Sequence, residues 1–300
     1  MKRIGVVLLL GVLLLSAAGL ASAKEYRIFL ITMDQMDQHW VTMDVGARKA
    51  VEELGNVIYQ WMAPDVKDDA KQIEMINNAV AAGADAILLA ANGPTAVVPA
   101  LREAAAAGVK IIYVDSPADF PAEQTLATDN EAAGRIAGET LRNALAERGI
   151  TSGKIGIVNV NPATMSTVLR ERGFRAAFEG SDFEILETQY GEGDAARSKE
   201  IAANYITQGV VGIFGANEGS TVGTGNAIRE AGGGVIGVGF DKSNTILQLV
   251  RDGHLLAVMA QNPDVMGYEG VKAAVAVLEG KTLDAEYVDT GVSVLTKDTI

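Results

Sequence analysis

Apolar residues along this chain follow two alternating rhythms. Short branched runs such as Ile28-Phe29-Leu30-Ile31 and Ile87-Leu88-Leu89 lack polar interruption, as strands buried on both faces do. Between them lie stretches with helical spacing that close on glycine, for example 41–54 before Gly55 and 67–82 before Gly83. The pattern predicts strands at 26–32, 57–61, 86–90 and 110–114, a short one at 126–127, and helices over 41–54, 67–82 and 95–107. A second series opens with a helix from Asn130 or Glu131 to about 148. Strands at 154–160, 184–189, 211–214, 235–240 and 256–260 follow, alternating with helices over 166–178, 194–207, 220–231, 244–252 and 263–278, and extended segments run on to 300. Strands separated by helices of this length form parallel sheets with right-handed crossovers. Roughly a dozen strands exceed a comfortable open sheet, so two are expected. The fold class is α/β, with two Rossmann-like lobes.

The series also repeat each other. Ala86-Ile87-Leu88-Leu89-Ala90-Ala91-Asn92 resembles Gly212-Ile213-Phe214-Gly215-Ala216-Asn217, and Ile111-Ile112-Tyr113-Val114-Asp115 resembles Ile236-Gly237-Val238-Gly239-Phe240-Asp241. The asparagine-to-aspartate interval is 23 residues in the first copy and 24 in the second. Equal polar punctuation in two copies implies similar lobes.

The start of the chain reads as an address. Met1-Lys2-Arg3 is positive, 4–20 is almost wholly apolar, and Ala21-Ser22-Ala23 offers small residues where a signal peptidase reads. Cleavage after Ala23 and a periplasmic destination are expected, with no membrane insertion of the mature chain. The 300 residues carry a formal net charge of -13, which argues against a nucleic-acid partner. Without cysteine the chain can have no disulfide, thiol nucleophile or cysteine-ligated metal, and two histidines make a histidine metal site improbable. No cofactor is expected: dinucleotide, phosphate-loop, zinc-protease and serine-hydrolase motifs are all missing.

Ligands of open parallel sheets bind beyond the carboxyl ends of the strands. Asn92, Asp115, Asn217 and Asp241 each occupy such an end and together offer the donors and acceptors that suit hydroxyl groups. At any one of them, capping of the next helix is an equally good reading; the repetition favours a shared cleft. The first strand leads into the polar loop Thr32-Met33-Asp34-Gln35-Met36-Asp37-Gln38-His39-Trp40, where Trp40 is the candidate to stack on an apolar sugar face. Arg170 stands near a strand-to-helix mouth, where a guanidinium can fork onto oxygens, while Arg172 reads as a solvated charge.

Thr128-Asp129-Asn130 with Gly134-Arg135-Ile136-Ala137-Gly138, Arg170-Glu171-Arg172-Gly173-Phe174, Val238-Gly239-Phe240-Asp241 and Ala260-Gln261-Asn262-Pro263-Asp264 with Gly267 resemble periplasmic binding proteins of the ribose-binding type. That superfamily also holds the effector domains of lactose-repressor-like regulators. The resemblance covers nearly all of the chain after the leader. It implies a ligand shell of His39 and Trp40 in the place of tandem aromatics, with Asp115, Arg170, Asn217, Asp241 and Gln261, and with Asn92 at or beside the first-lobe asparagine. Asp37 joins the candidates from the entry loop. Ser116 stands where ribose binders carry arginine, His39 replaces one aromatic, and the second-lobe aromatic has no clear match near Gly193-Asp194. These departures point away from ribose itself, towards another monosaccharide, a polyol, or an amino sugar whose cation would suit Asp34 and Asp37.

The resemblance further implies a three-stranded hinge near Asp129-Asn130, Gln261-Asn262 and Thr290-Gly291. The lobes would be 24–129 with 262–290, and 130–261 with 291–300. The expected role is capture of a sugar or polyol by a monomer that delivers it to a membrane ABC permease. A sensor presenting the sugar to a chemoreceptor or histidine kinase is the alternative. A transcription regulator would need a helix-turn-helix where the leader stands. An enzyme would need a nucleophile or cofactor beside Asp115 and Asp241.

Overall fold

A computed structural model describes residues 24–300; the expected leader, 1–23, lies outside the described residues. The first sheet contains β1 (Tyr26–Ile31), β2 (Val57–Met62), β3 (Ala86–Leu89), β4 (Lys110–Val114), β5 (Gln124–Ala127) and β12 (Tyr287–Asp289), in the order β12-β5-β4-β3-β1-β2, all parallel. The second contains β6 (Ser152–Asn159), β7 (Asp182–Ile185), β9 (Val210–Gly215), β10 (Ile236–Phe240), β11 (Ala257–Gln261) and β13 (Val292–Thr296), in the order β13-β11-β10-β9-β6-β7, with the two-residue β8 (Gln189–Tyr190) beside β6. Only β13 is antiparallel. The chain passes from the first sheet to the second between Ala127 and Asn130, returns after Gln261, and crosses again between Asp289 and Val292.

The period of two explains how each sheet is covered. In the first, Ile28, Leu30, Leu88, Ile112 and Val114 face α1 (Gln38–Leu54) and α9 (Pro263–Leu278). Phe29, Ile31, Ile87, Leu89, Ile111 and Tyr113 face α2 (Asp69–Ala81) and α3 (Val98–Ala106). In the second, Ile155, Ile157, Phe214, Val238 and Phe240 face α4 (Asn130–Glu147) and α5 (Met165–Ala176), where the Phe174 and Phe214 rings stack at 4.4 Å. Its other face is covered by α6 (Ala195–Thr207), α7 (Glu218–Glu230) and α8 (Asn244–Arg251). Both sheets place their first strand between the second and third, so each has its topological switch point at the carboxyl edge facing the other lobe.

Two helix pairs need backbone contact. Across α4 and α5, a methyl on Gly134 would enter the Arg170 carbonyl, and one on Gly173 would enter that of Glu131. Gly46 and Gly267 make the equivalent approach between α1 and α9. Elsewhere the elements differ from expectation in small ways. The strand expected at 184–189 is two short pieces, β7 and β8, and α1 begins at Gln38 rather than 41.

A prediction separates packing from propensity at Gly173. Alanine favours a free helix by about 1 kcal/mol over glycine, but overpacking costs roughly 1–3 kcal/mol. Gly173→Ala is expected to lower stability in urea unfolding, whereas a gain would show that the helices separate freely.

Candidate functional site

The carboxyl ends of the two sheets meet around a small space, about 310 Å³ counting its opening to solvent. Asp37, His39, Trp40 and Asp115 line it from the first lobe, and Arg170, Asn217, Asp241 and Gln261 from the second. Asn92 does not. It stands one layer back, its side-chain amide donating to Asp69 at 2.5 Å and its carbonyl accepting from Thr164 Oγ1 at 2.7 Å. Asp115 and Asp241 follow β4 and β10 with φ of 63° and 74°, a left-handed conformation that few side chains adopt. Both lobes thus strain their backbone at the same place, as functional sites often do.

His39 is the centre. Its Nδ1 lies 3.4 Å from Asp241 Oδ1, and its Nε2 lies 3.1 Å from Asp115 Oδ2, too far off-axis for a hydrogen bond. Burial opposes a charge on the ring, but the carboxylates outweigh it and push the imidazole up to about 10. Burial likewise opposes ionisation of Asp241, and His39, Arg170 and the Gln261 amide outweigh it, holding the carboxyl down at about 2. His39 and Trp40 stand in the first turn of α1, not in the loop before it, and their rings meet edge to face at 4.7 Å. Trp40 also packs in the first-lobe core, so one ring serves both the core and the cavity.

Arg170 is only 2% exposed. Its Nε donates to Asn130 at 2.8 Å, its Nη1 to the Ala216 carbonyl at 3.0 Å, and its guanidinium lies 4.2 Å from the Phe240 ring centre. Nη2 is 3.8 Å from Asp115. Arg172 pairs with Glu131 on the surface. Asn217 caps α7, its side-chain oxygen accepting from Ser220 N at 3.1 Å, which leaves its amide donors for the cavity. Capping and lining are therefore compatible. Gln261 donates to Asp241 at 2.7 Å.

Five buried polar atoms around this space have no hydrogen-bond partner: His39 Nε2, Trp40 Nε1, Arg170 Nη2, Asn217 Nδ2 and Gln261 Oε1. Each such group costs about 1–3 kcal/mol when left unmade. Four are donors and one an acceptor, and three carboxylates stand beside them. That mixture suits a molecule rich in hydroxyls, each of which both gives and takes.

Lys67, Thr164, Ser166 and Thr167 also line the cavity, none of them among the candidates drawn from the sequence. Lys67 follows β2 and the other three follow β6, so the strand-end rule would have found them. Lys67 alters one expectation. Its ammonium binds both Asp34 and Asp37, the latter at 2.9 Å. Burial raises Asp37 to about 6 despite Lys67, while Asp34, against its own burial, is lowered by the same lysine. The two carboxylates share that one cation, so neither is a free acid waiting for the cation of an amino sugar.

The lobes touch directly. Thr164 Oγ1 donates to the Asn92 carbonyl, Ser166 N donates to Ser116 Oγ at 3.3 Å, and Glu218 accepts from Gln38 N and His39 N at 3.0 Å each. Two doubly wound lobes closed on a polar cavity are the architecture of a solute-binding protein. The chain belongs to the periplasmic binding protein family, whose domain model, described as a periplasmic binding protein domain, matches residues 28–282.

Its relatives include the ribose import binding protein RbsB of Escherichia coli, 28% identical over 96% of both chains. The D-ribose/D-allose-binding protein of Pseudomonas aeruginosa is 25% identical over 94% of this chain and 92% of its own. Among solved structures, a carbohydrate transporter solute-binding protein from Agrobacterium radiobacter, in complex with D-arabinose, superposes with a TM-score of 0.87 at 32% identity, covering 92% of this chain and 96% of that one. An ABC transporter solute-binding protein from Agrobacterium vitis with bound D-fucose gives 0.86 at 30% identity, over 91% and 96%. The family binds solutes and is not one of enzymes. No described helix is long and apolar enough to cross a membrane.

The charge on His39 has a measurable signature. Folding raises its pKa from the ordinary 6.5 to about 10. Its stabilisation is therefore whole below pH 6.5 and gone once pH has risen through 10. The melting temperature of the ligand-free protein is expected to fall between pH 7 and 9 more steeply than that of His39→Gln. Parallel profiles would show that the imidazole is not held charged.

Proposed function

We propose that this protein is the periplasmic solute-binding component of an ABC importer, exported with cleavage after Ala23, and that it captures one neutral monosaccharide or polyol between its lobes as a monomer. The observation that carries this reading is the set of five unpartnered buried polar atoms, contributed by both lobes around one cavity. A ligand that satisfies them touches both lobes only when they are closed, so binding draws the population to the closed form. The moving bodies are 24–129 with 262–290 and 130–261 with 291–300, turning about the three crossings. An ABC permease reads the closed form and receives the solute.

Asp115 and Asp241 accept from ligand hydroxyls, with His39 reorienting to donate beside them. Arg170, Asn217 and Gln261 complete the second-lobe side, and Trp40 offers its indole N–H. Asp37 shapes the entrance with its own cation. Asn92 acts through Asp69 and Thr164 rather than by touching the solute. A neutral solute is favoured because cations already stand beside the carboxylates: Lys67 between Asp34 and Asp37, and His39 with Arg170 beside Asp115 and Asp241. The sugars bound by the relatives, D-ribose, D-allose, D-arabinose and D-fucose, are likewise uncharged.

A thermal-shift screen against pentoses, hexoses and polyols tests the reading. At a hundred times Kd, a ligand adds about 2.7 kcal/mol of stability, which raises the melting temperature by roughly 5 °C or more in a chain of this size. Asp115→Ala and Asp241→Ala are each expected to weaken the best sugar at least ~10-fold, the loss of about one or more charge-assisted hydrogen bonds. A panel that leaves the melting temperature unmoved, or variants that bind as well as the parent, would refute the assignment.

A further inference from the structure

The helix that carries His39 and Trp40 lacks a cap of its own. Asp37 has the extended backbone of an N-cap residue, but its side chain makes no capping bond, because Lys67 holds that carboxylate at 2.9 Å. The first N–H groups of α1 have no partner within the helix. They find one across the cleft. Glu218, the first residue of α7 in the second lobe, accepts from Gln38 N through Oε1 and from His39 N through Oε2, each at 3.0 Å. A carboxylate suits this place, since the helix dipole puts positive charge there. Glu218 is 8% exposed, and His39 is equally buried, so water has little access to the His39 half of the contact in the closed state. Glu218 does not line the ligand cavity.

We propose that Glu218 is the latch of the closed state: by capping α1 from the opposite lobe, it holds the lobes together and fixes His39 and Trp40 in their binding positions without touching the solute. In the open form both groups are hydrated, so the contact exists only on closure and favours that state. Burial beside Asp37 and Asp241 pushes the Glu218 carboxyl up to about 7, so it carries a proton part of the time near neutrality; its carbonyl oxygen still accepts. A carboxamide keeps that one acceptor and is the conservative control.

The latch rests on the solute-binding reading for its purpose, but its test separates the two. Hydrogen exchange at the Gln38 and His39 amides is measured for the parent, Glu218→Ala and Glu218→Gln, without ligand and again with the best sugar of the panel at saturation, with the α4 amides as reference. The alanine variant is expected to exchange at least ~10-fold faster at those two amides, with α4 and the melting temperature nearly unchanged. The best sugar from the panel is then titrated. Loss of a cap of this strength predicts roughly 10-fold weaker binding in Glu218→Ala, with most of the affinity kept in Glu218→Gln. Parent-like exchange at Gln38 and His39 in the alanine variant overturns the latch whether or not any sugar binds. So does unchanged affinity in a protein that binds one. Failure of the parent to bind any sugar counts against the solute-binding reading alone.

Discussion

Charged and polar groups from two lobes share one buried seam, and the rest of the structure answers to that constraint. A buried ion tolerates the loss of water only when oppositely charged or hydrogen-bonding groups replace it. His39 keeps its proton because Asp115 and Asp241 approach from two sides. Asp241 keeps its negative charge because His39, Arg170 and Gln261 surround it. Arg170 is in turn held by Asn130 and by the ring of Phe240. Separating the lobes would break the pairing of His39 with Asp241 and that of Arg170 with Asp115 and admit water. Closure is thus an exchange of hydration for internal pairing, and the atoms left unpaired mark where a solute completes it.

Much of this was legible in the residues. The alternation of apolar runs gave both sheets, since strands covered on two faces leave little choice of period. The pairs Asn92/Asp115 and Asn217/Asp241 located the carboxyl edges, because loops after parallel strands collect on one side. What the sequence could not reveal came from contacts made at long range. The pattern of apolar residues starts α1 at Val41, whereas the helix begins at Gln38, because its cap comes from Glu218, 180 residues away. Asn92 looked equivalent to Asn217, but Asp69 lies within reach of its amide and takes it out of the cavity. Asp34 and Asp37 looked like free acids until Lys67 was placed between them.

The two lobes solve one problem with slightly different parts. β4 and β10 each lead into a left-handed aspartate, and each lobe joins two helices through glycines that let the backbones touch. The first lobe then adds the imidazole and the indole, while the second adds the guanidinium and two amides. The common scaffold places the groups; the differences between the halves make the cavity asymmetric, as it must be to recognise a solute without symmetry.

The position of α9 has a consequence for how the molecule assembles. This late helix contributes Met266, Val271, Ala274 and Val275 to the core over the first sheet, although the strands it covers were laid down before the whole of the second lobe began. As the chain emerges in order, the amino-terminal sheet would wait with one apolar flank uncovered until that distant helix arrived. The middle of the chain, by contrast, could condense from neighbours alone. The half that comes first in synthesis waits longest for its cover, and it is the one a holding chaperone would have most reason to shield.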